Sequence, residues 1–136
     1  MFGQQTNSDI IHPILEGFKA ELVIRGIDAS PLKKLDSVNL VHREGYFETY
    51  LETFKNGRKY LQLNDVNTEH EFERVWRLHH ELGHVFGLKD CYKCRYHFMS
   101  ANFSKRGAFL LKDPYLRTHF FELFFNEIKT KIHIHL

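Results

Sequence analysis

The chain has 136 residues, of which 43% are hydrophobic and 15% aromatic, and it carries 19 basic side chains against 17 acidic ones. This composition is typical of a folded protein, and the length suits one domain over residues 1–136. The balanced charge argues against a nucleic-acid partner, and no apolar run is long enough to cross a membrane. We therefore expect a globular domain that binds neither nucleic acid nor a membrane.

The N-terminal sequence, MFGQQTNSDIIHP, lacks the basic start, apolar run and small-residue cleavage site of a secretory leader. We therefore expect a cytoplasmic protein, unless a leader has been removed. The chain contains two cysteines, Cys91 and Cys94, which are too close together to link distant parts of the fold. Stability is expected to come from packing.

Helical spacing of apolar residues predicts a first helix from Asp9 to Arg25, with Gly26 as its stop. Next, β-branched and aromatic residues predict a strand near Leu35–His42. A hairpin follows, with arms at 46–55 and 58–64. Between the arms, Asn56 and Gly57 favour a two-residue type I′ turn.

The second half of the chain predicts two further helices. Thr68 and Glu71 have the spacing of a capping box, and apolar periodicity continues from there to Gly87. Asp113 and Pro114 resemble the N-cap and first residue of a C-terminal helix. Its core face would be an i+4 row comprising Leu116, Phe120, Phe124, Ile128 and Ile132.

The helix that ends at Gly87 carries the pattern HELGH. His80 and His84 are one turn apart, so their rings can share one metal ion. Glu81 is rotated by about 100°, which places its carboxylate beside the ion. Gly87 allows the chain to turn back and bring Asp90 to the ion as a third ligand.

Three protein ligands leave a fourth position open for water, as in catalytic zinc sites. We therefore expect one Zn²⁺ per chain, with Glu81 as the carboxylate that takes the proton of the zinc-bound water. The alternative is an ordinary amphipathic helix with solvated histidine and glutamate side chains.

HELGHVFGLKD resembles the extended signature of the metzincin clan of zinc peptidases, H-E-x-x-H-x-x-G-x-x-H or D followed by a methionine turn. Aspartate as third ligand resembles the snapalysin type, and a cysteine directly after that ligand resembles the archaemetzincins. The resemblance implies that Met99 is the Met-turn residue and forms an apolar floor beneath the metal. Archaemetzincins have a second zinc site with four cysteines, which two cysteines cannot build.

From the resemblance we expect an α+β, zincin-like (metzincin) single domain with a small twisted sheet and three main helices. Residues 1–87 would hold the sheet and the active-site helix, and residues 88–136 the Met-turn and the C-terminal helix. We expect the clan's opening strand to be missing, because the first helix begins so near the N-terminus. The resemblance implies a zinc-dependent endopeptidase, here expected to be a monomer, that acts on peptide or protein substrates.

Metzincins bind extended substrate along an edge strand by main-chain pairing. Here that edge would be residues 46–54, with four residues as substrate-binding candidates: Tyr46, Glu48, Tyr50 and Glu52. An equally good interpretation is a solvent-facing edge on which the glutamates prevent aggregation.

Cys91 and Cys94 have three interpretations: a redox pair, two plain thiols or a local disulfide, or half of a metal site completed by His97. His79 precedes the first ligand but falls on the apolar face, so we expect it to be packed or hydrogen-bonded.

Two other functions are open. Small bacterial metalloproteins that mature ribosomal RNA use a similar histidine spacing, but they lack the glutamate, so Glu81 and the modest charge favour a peptide substrate over RNA. The second alternative is a catalytically silent module that keeps zinc for stability or binds a peptide without cutting it.

Overall fold

The computed structural model describes residues 5–6, 9–42, 44, 50–53, 57–64 and 70–134. Within these residues the chain combines helices with one small sheet, as expected for a mixed α and β protein. Its contacts divide the chain into two compact units, residues 1–69 and 70–136. The boundary precedes the helix that carries the HELGH pattern (the motif helix), whereas the predicted subdivision at residue 87 follows it. The single domain itself stays a prediction.

The first helix, α1 (Ile11–Ile24), forms where the apolar periodicity predicts it. Its buried stripe comprises Ile11, Leu15, Phe18 and Leu22, and the helix contacts the strand at Leu35–Val41. Gly26 follows the helix with φ +67°, a conformation that residues with a Cβ rarely adopt. The predicted stop is therefore confirmed.

The described strands are β1 (Gln5–Thr6), β2 (Leu35–Val41), β3 (Tyr50–Thr53) and β4 (Lys59–Asn64). They form one sheet in the order β1-β2-β4-β3. The β1/β2 and β2/β4 pairs are parallel, and β3 runs antiparallel to β4 at one edge. The expectation that an opening strand is missing is wrong, because two residues suffice to pair with Ser37 and Val38.

The hairpin exists, but its register differs from the prediction. A two-residue turn at positions 56 and 57 would pair Thr53 with Tyr60, whereas Thr53 pairs with Lys59. Asn56 of the predicted two-residue turn lies outside the described residues, so the turn itself stays a prediction. Gly57 does adopt the left-handed conformation, with φ +81°. Residues 54–56 lie outside the described part.

The motif helix, α2 (Glu71–Val85), begins two residues later than the capping box predicts. Its N-cap is His70, whose Nδ1 accepts a hydrogen bond of 3.2 Å from the Phe72 N–H. The imidazole thus caps the helix at a position two residues after the threonine that was expected to do so. Glu71 and Glu73 in the first turn complement the positive end of the helix dipole. Thr68 lies outside the described residues.

A short helix, α3 (Lys105–Phe109), was not predicted; the Ser104 hydroxyl caps it by accepting the Gly107 N–H. The C-terminal helix, α4 (Pro114–Ile134), begins as predicted. The Asp113 carboxylate accepts the backbone N–H groups of the second and third helical residues, at 2.9 and 3.3 Å. In the part of the chain described above, no helix has the length and apolar character needed to cross a membrane.

Candidate metal centre

The end of α2 brings the chain back toward its own last turn. Gly87 has φ +91°, and its N–H donates to the His84 carbonyl at 3.0 Å. The Leu88 N–H donates to the Gly83 carbonyl at 2.9 Å, which completes the hydrogen-bond pair of a Schellman motif. This reversal, predicted from the glycine, carries Asp90 back beside the histidines.

Backbone carbonyls fix both candidate histidine ligands. The His80 Nδ1–H donates to the Phe98 carbonyl at 2.7 Å, and the His84 Nδ1–H donates to the Leu88 carbonyl at 2.8 Å. A neutral imidazole that donates from Nδ1 presents a lone pair at Nε2. Burial lowers the pKa of His80 below its usual value, which favours this neutral form.

Three ligand atoms converge on one point. The two Nε2 atoms of His80 and His84 are 3.2 Å apart, and Asp90 Oδ1 lies 3.1 Å from each of them. With both Nδ1 atoms acting as donors, the Nε2 lone pairs and the carboxylate oxygen would repel each other unless a cation lay between them. Ligand atoms around a tetrahedral zinc ion are roughly 3.3–3.4 Å apart, from bonds of about 2.0–2.1 Å. The observed triangle therefore fits zinc.

The exposure of these side chains suits a catalytic site more than a closed structural one. The side chains of His80, His84 and Asp90 are 19%, 27% and 38% exposed. Solvent therefore reaches these three side chains, and a metal ion held by them would keep a fourth position open to water or substrate.

Glu81 lies beside this triangle. Its Oε1 is 3.9 Å from His80 Nε2, and one ligand atom from each of His80, Glu81 and His84 can be chosen within 4.8 Å of the others. Two carboxylates are thus candidates for the third ligand. We assign this ligand to Asp90, because its Oδ1 lies at shorter and equal distances from the two Nε2 atoms and so completes a regular triangle.

Glu81 has the environment of a proton acceptor. Glu81 is only 7% exposed. Burial raises the pKa of its carboxyl to about 7, and the negative charge of Asp90 acts in the same direction. A bound cation would act in the opposite direction. A carboxylate with this basicity is matched to proton transfer near neutral pH.

Arg77 is a neighbour of the centre that the sequence reasoning missed. It lies one turn before His80 and Glu81, and its positive charge lowers the pKa of both. The guanidinium lies over the Phe103 ring, with Cζ 3.8 Å from the ring centroid. The i to i+4 spacing from Arg77 to Glu81 is the signal that would have indicated this contact.

Met99 lies in a turn, as the resemblance implies. The Ser100 N–H donates to the His97 carbonyl at 3.0 Å, and the Met99 N–H donates to His97 Nδ1 at 2.9 Å. Met99 is 1% exposed, and its side chain packs against Gly83, next to His84 in the sequence. The turn and the burial of Met99 are observed, and its role as a floor beneath a metal stays a prediction.

The remaining candidates have different outcomes. His79 is packed, as expected: it is 3% exposed, and its Nδ1–H donates to the Val75 carbonyl at 2.7 Å. Cys91 and Cys94 form a disulfide, so of the open interpretations the local disulfide is the one observed.

For the four substrate-binding candidates little is described. Tyr46 and Glu48 lie outside the described residues, and Tyr50 and Glu52 are described by their backbone in edge strand β3. Substrate binding by this strand therefore stays a prediction.

The backbone carbonyls of Leu88 and Phe98 were also missed as partners of the ligands. Leu88 directly follows the helix-ending glycine, which is a signal, whereas nothing in the sequence marks the carbonyl of Phe98.

Comparison with protein-family models, with curated proteins and with solved structures gives no match for this chain.

Proposed function

We propose that this protein is a zinc-dependent peptidase with a zincin-like, metzincin-type active site. One observation carries the proposal: two Nε2 atoms and one carboxylate oxygen lie 3.1–3.2 Å apart, with both imidazoles oriented by backbone carbonyls. His80, His84 and Asp90 would hold one zinc ion per chain. Such a donor set of two histidines and one carboxylate suits four-coordinate zinc.

When bound, zinc supplies Lewis acidity, which polarises a peptide carbonyl and makes a water molecule more acidic. Glu81 takes a proton from the attacking water and later delivers it to the leaving amine. Its burial excludes bulk water from the proton-transfer step, and its neighbour Arg77 favours the ionised carboxylate at the start of the reaction.

The order of elements supports the zincin-like assignment. A small sheet with an antiparallel edge strand precedes the helix that carries the ligands, and a methionine in a turn and a long helix follow it. Strand β3 lies at the edge of the sheet formed by the described strands, and an extended peptide would add there by main-chain pairing.

The test compares zinc-loaded parent protein with Glu81→Gln on a broad peptide library, with zinc content measured in the same samples. Glutamine keeps the shape of glutamate but cannot accept the proton. We expect equal zinc content and a loss of turnover by about two to four orders of magnitude. Parental rates in Glu81→Gln would contradict the mechanism, and a zinc-loaded parent that cuts no peptide would favour a silent binding module.

A further inference from the structure

The disulfide lies directly beside the proposed metal centre along the chain. Asp90, which contributes the third ligand atom, is followed immediately by Cys91, and Cys91 is bonded to Cys94 with 5.4 Å between their Cα atoms. The assigned metal centre does not use the sulfur atoms. The disulfide therefore adjoins the proposed metal centre without being part of it.

Both ends of the loop that contains the disulfide reach the metal centre. At one end is Asp90, and at the other the Phe98 carbonyl that orients His80. Cys91 joins the ends, because its N–H donates to the Met99 carbonyl at 2.7 Å and its carbonyl accepts the Ala101 N–H at 2.9 Å. The disulfide closes a second, smaller ring within this loop, at the residue that follows the ligand.

The loop is open to reagents from solvent. Cys91 and Cys94 are half-buried, and the residues between and after them include Tyr92, which is 81% exposed, and the exposed Lys93 and Arg95. A small or protein-borne thiol can therefore approach the sulfur atoms without unfolding of the core.

We infer that Cys91–Cys94 is a thiol–disulfide exchange site that controls the metal centre, with the oxidised form holding zinc more tightly. The inference rests on the proposed metal site. Its co-reactant is a dithiol reductant, either small or carried by a protein.

The exchange is balanced as a two-electron reaction. A thiolate of the dithiol attacks one sulfur, which breaks the Cys91–Cys94 bond and forms a mixed disulfide; the second thiolate of the dithiol then displaces the remaining cysteine sulfur. The dithiol is oxidised to a disulfide, the cysteine pair is reduced, and the two protons lost by the dithiol end on Cys91 and Cys94. The Cys91–Cys94 disulfide is itself the oxidant of the dithiol, and no metal takes part.

Reduction weakens zinc binding because it releases the backbone on which Asp90 depends. A cross-link restricts the conformations available to the residues it encloses, and this effect remains appreciable for short rings. The ring of four residues from Cys91 to Cys94 is small, so zinc affinity is expected to fall by roughly threefold to thirtyfold. The ligand set itself does not change.

The experiment measures the dissociation constant for Zn²⁺ with a competing chromophoric chelator. Oxidised parent is compared with parent reduced by a phosphine, which chelates zinc far less than a dithiol does. Two variants serve as matched controls: Cys94→Ser, which keeps the Cys91 thiol, and the double variant Cys91→Ser/Cys94→Ser. We expect reduced parent and both variants to bind zinc roughly threefold to thirtyfold more weakly than oxidised parent. The dissociation constant of the double variant should be the same with and without the reductant.

Hydrogen exchange separates local release from general unfolding. On reduction, the amides of Cys91 and Ala101 should exchange faster while those in the middle of α4 keep their rates. Equal zinc affinity in both redox forms would overturn the inference and leave the metal site standing. Tighter binding by reduced parent and Cys94→Ser would overturn it too, since a Cys91 thiolate would then be a ligand. Failure of oxidised parent to bind zinc would overturn the metal site and this inference together.

Discussion

At the residue scale, the two carboxylates near the histidines have different environments and are assigned different roles. The Asp90 side chain is 38% exposed and its Oδ1 is 3.1 Å from both Nε2 atoms, whereas the Glu81 side chain is 9% exposed and its Oε1 is farther from His80 Nε2, at 3.9 Å. A short, symmetric approach suits a ligand, and a buried carboxylate beside the ligands suits a base. Substitutions can separate these roles.

Asp90→Ala should lower both zinc affinity and activity, because it leaves two histidines as ligands and removes binding free energy that is linked to folding. Asp90→His restores a three-ligand set and should recover zinc binding at least in part. Zinc titration and thermal unfolding with and without zinc provide the measurements. If Asp90→Ala holds zinc as tightly as the parent, the third ligand is another group, with Glu81 the nearest candidate.

Met99→Leu should keep zinc binding and leave activity within roughly tenfold, since a volume-conserving apolar exchange generally destabilises by less than about 1.5 kcal/mol. Met99 is 1% exposed, so its shape is used, while its sulfur is not assigned as a ligand. Peptidase rates and zinc content of the variant test this. Loss of zinc from a folded Met99→Leu protein would make the sulfur a ligand.

At the element scale, predictions succeeded where the signal is local. Gly26, Gly87 and the Asp113 cap were read correctly because a positive φ or a capping carboxylate depends on the residue itself. Predictions failed where pairing with another segment decides, as in the hairpin register and in β1, whose two residues form a strand only through β2. At the start of α2, the N-cap is His70 instead of the predicted Thr68.

The helix glycines give an element-scale prediction with an internal control. At Gly83 of α2 a Cβ would overlap the Met99 sulfur and lie 3.1 Å from Phe124 Cε1, whereas at Gly17 of α1 a Cβ meets nothing within 4 Å. Gly17→Ala should stabilise by about 0.5–1 kcal/mol. Gly83→Ala has the same intrinsic gain, but overpacking should make it destabilising by about 1–2 kcal/mol.

Urea unfolding of both alanine variants in the metal-free state measures these differences. Equal stabilisation by Gly83→Ala and Gly17→Ala would show that Met99 moves aside freely and does not pack tightly on α2.

At the scale of the whole molecule, the sequence indicated that His80, His84 and Asp90 lie together, but not the surroundings that orient them. His80, His84 and Asp90 follow a helical spacing and a helix stop, which are one-dimensional signals. The Phe98 carbonyl reaches His80 through tertiary packing, and so do the Phe98 and Phe124 rings that contact the neighbouring His79; periodicity does not encode these contacts. The cluster of three side chains was therefore predictable, and the packing that orients it was not.

The burial of His79 predicts how stability depends on pH. Burial lowers the pKa of His79 to about 4, from 6.5 in the unfolded chain, so the unfolded state binds more protons between these values. The free energy of unfolding should thus fall as pH decreases from 6.5 to 4, with a contribution of up to about 1.4 kcal/mol per pH unit from this group.

Chemical unfolding of the metal-free protein across this pH range checks the expectation. His79→Phe should reduce the slope, and His119→Gln, which removes an exposed histidine, should leave it unchanged. The same slope in His79→Phe and the parent would assign the acid sensitivity to other groups.

X-ray absorption spectroscopy of zinc-loaded protein, with the zinc content of the same sample, tests the metal centre most directly. The account predicts about one zinc per chain, surrounded by nitrogen and oxygen atoms at about 2.0–2.1 Å, with the multiple-scattering signature of two imidazoles. A protein that retains no zinc after reconstitution, or a spectrum dominated by sulfur at about 2.3 Å, would contradict the assignment of His80, His84 and Asp90 as its ligands.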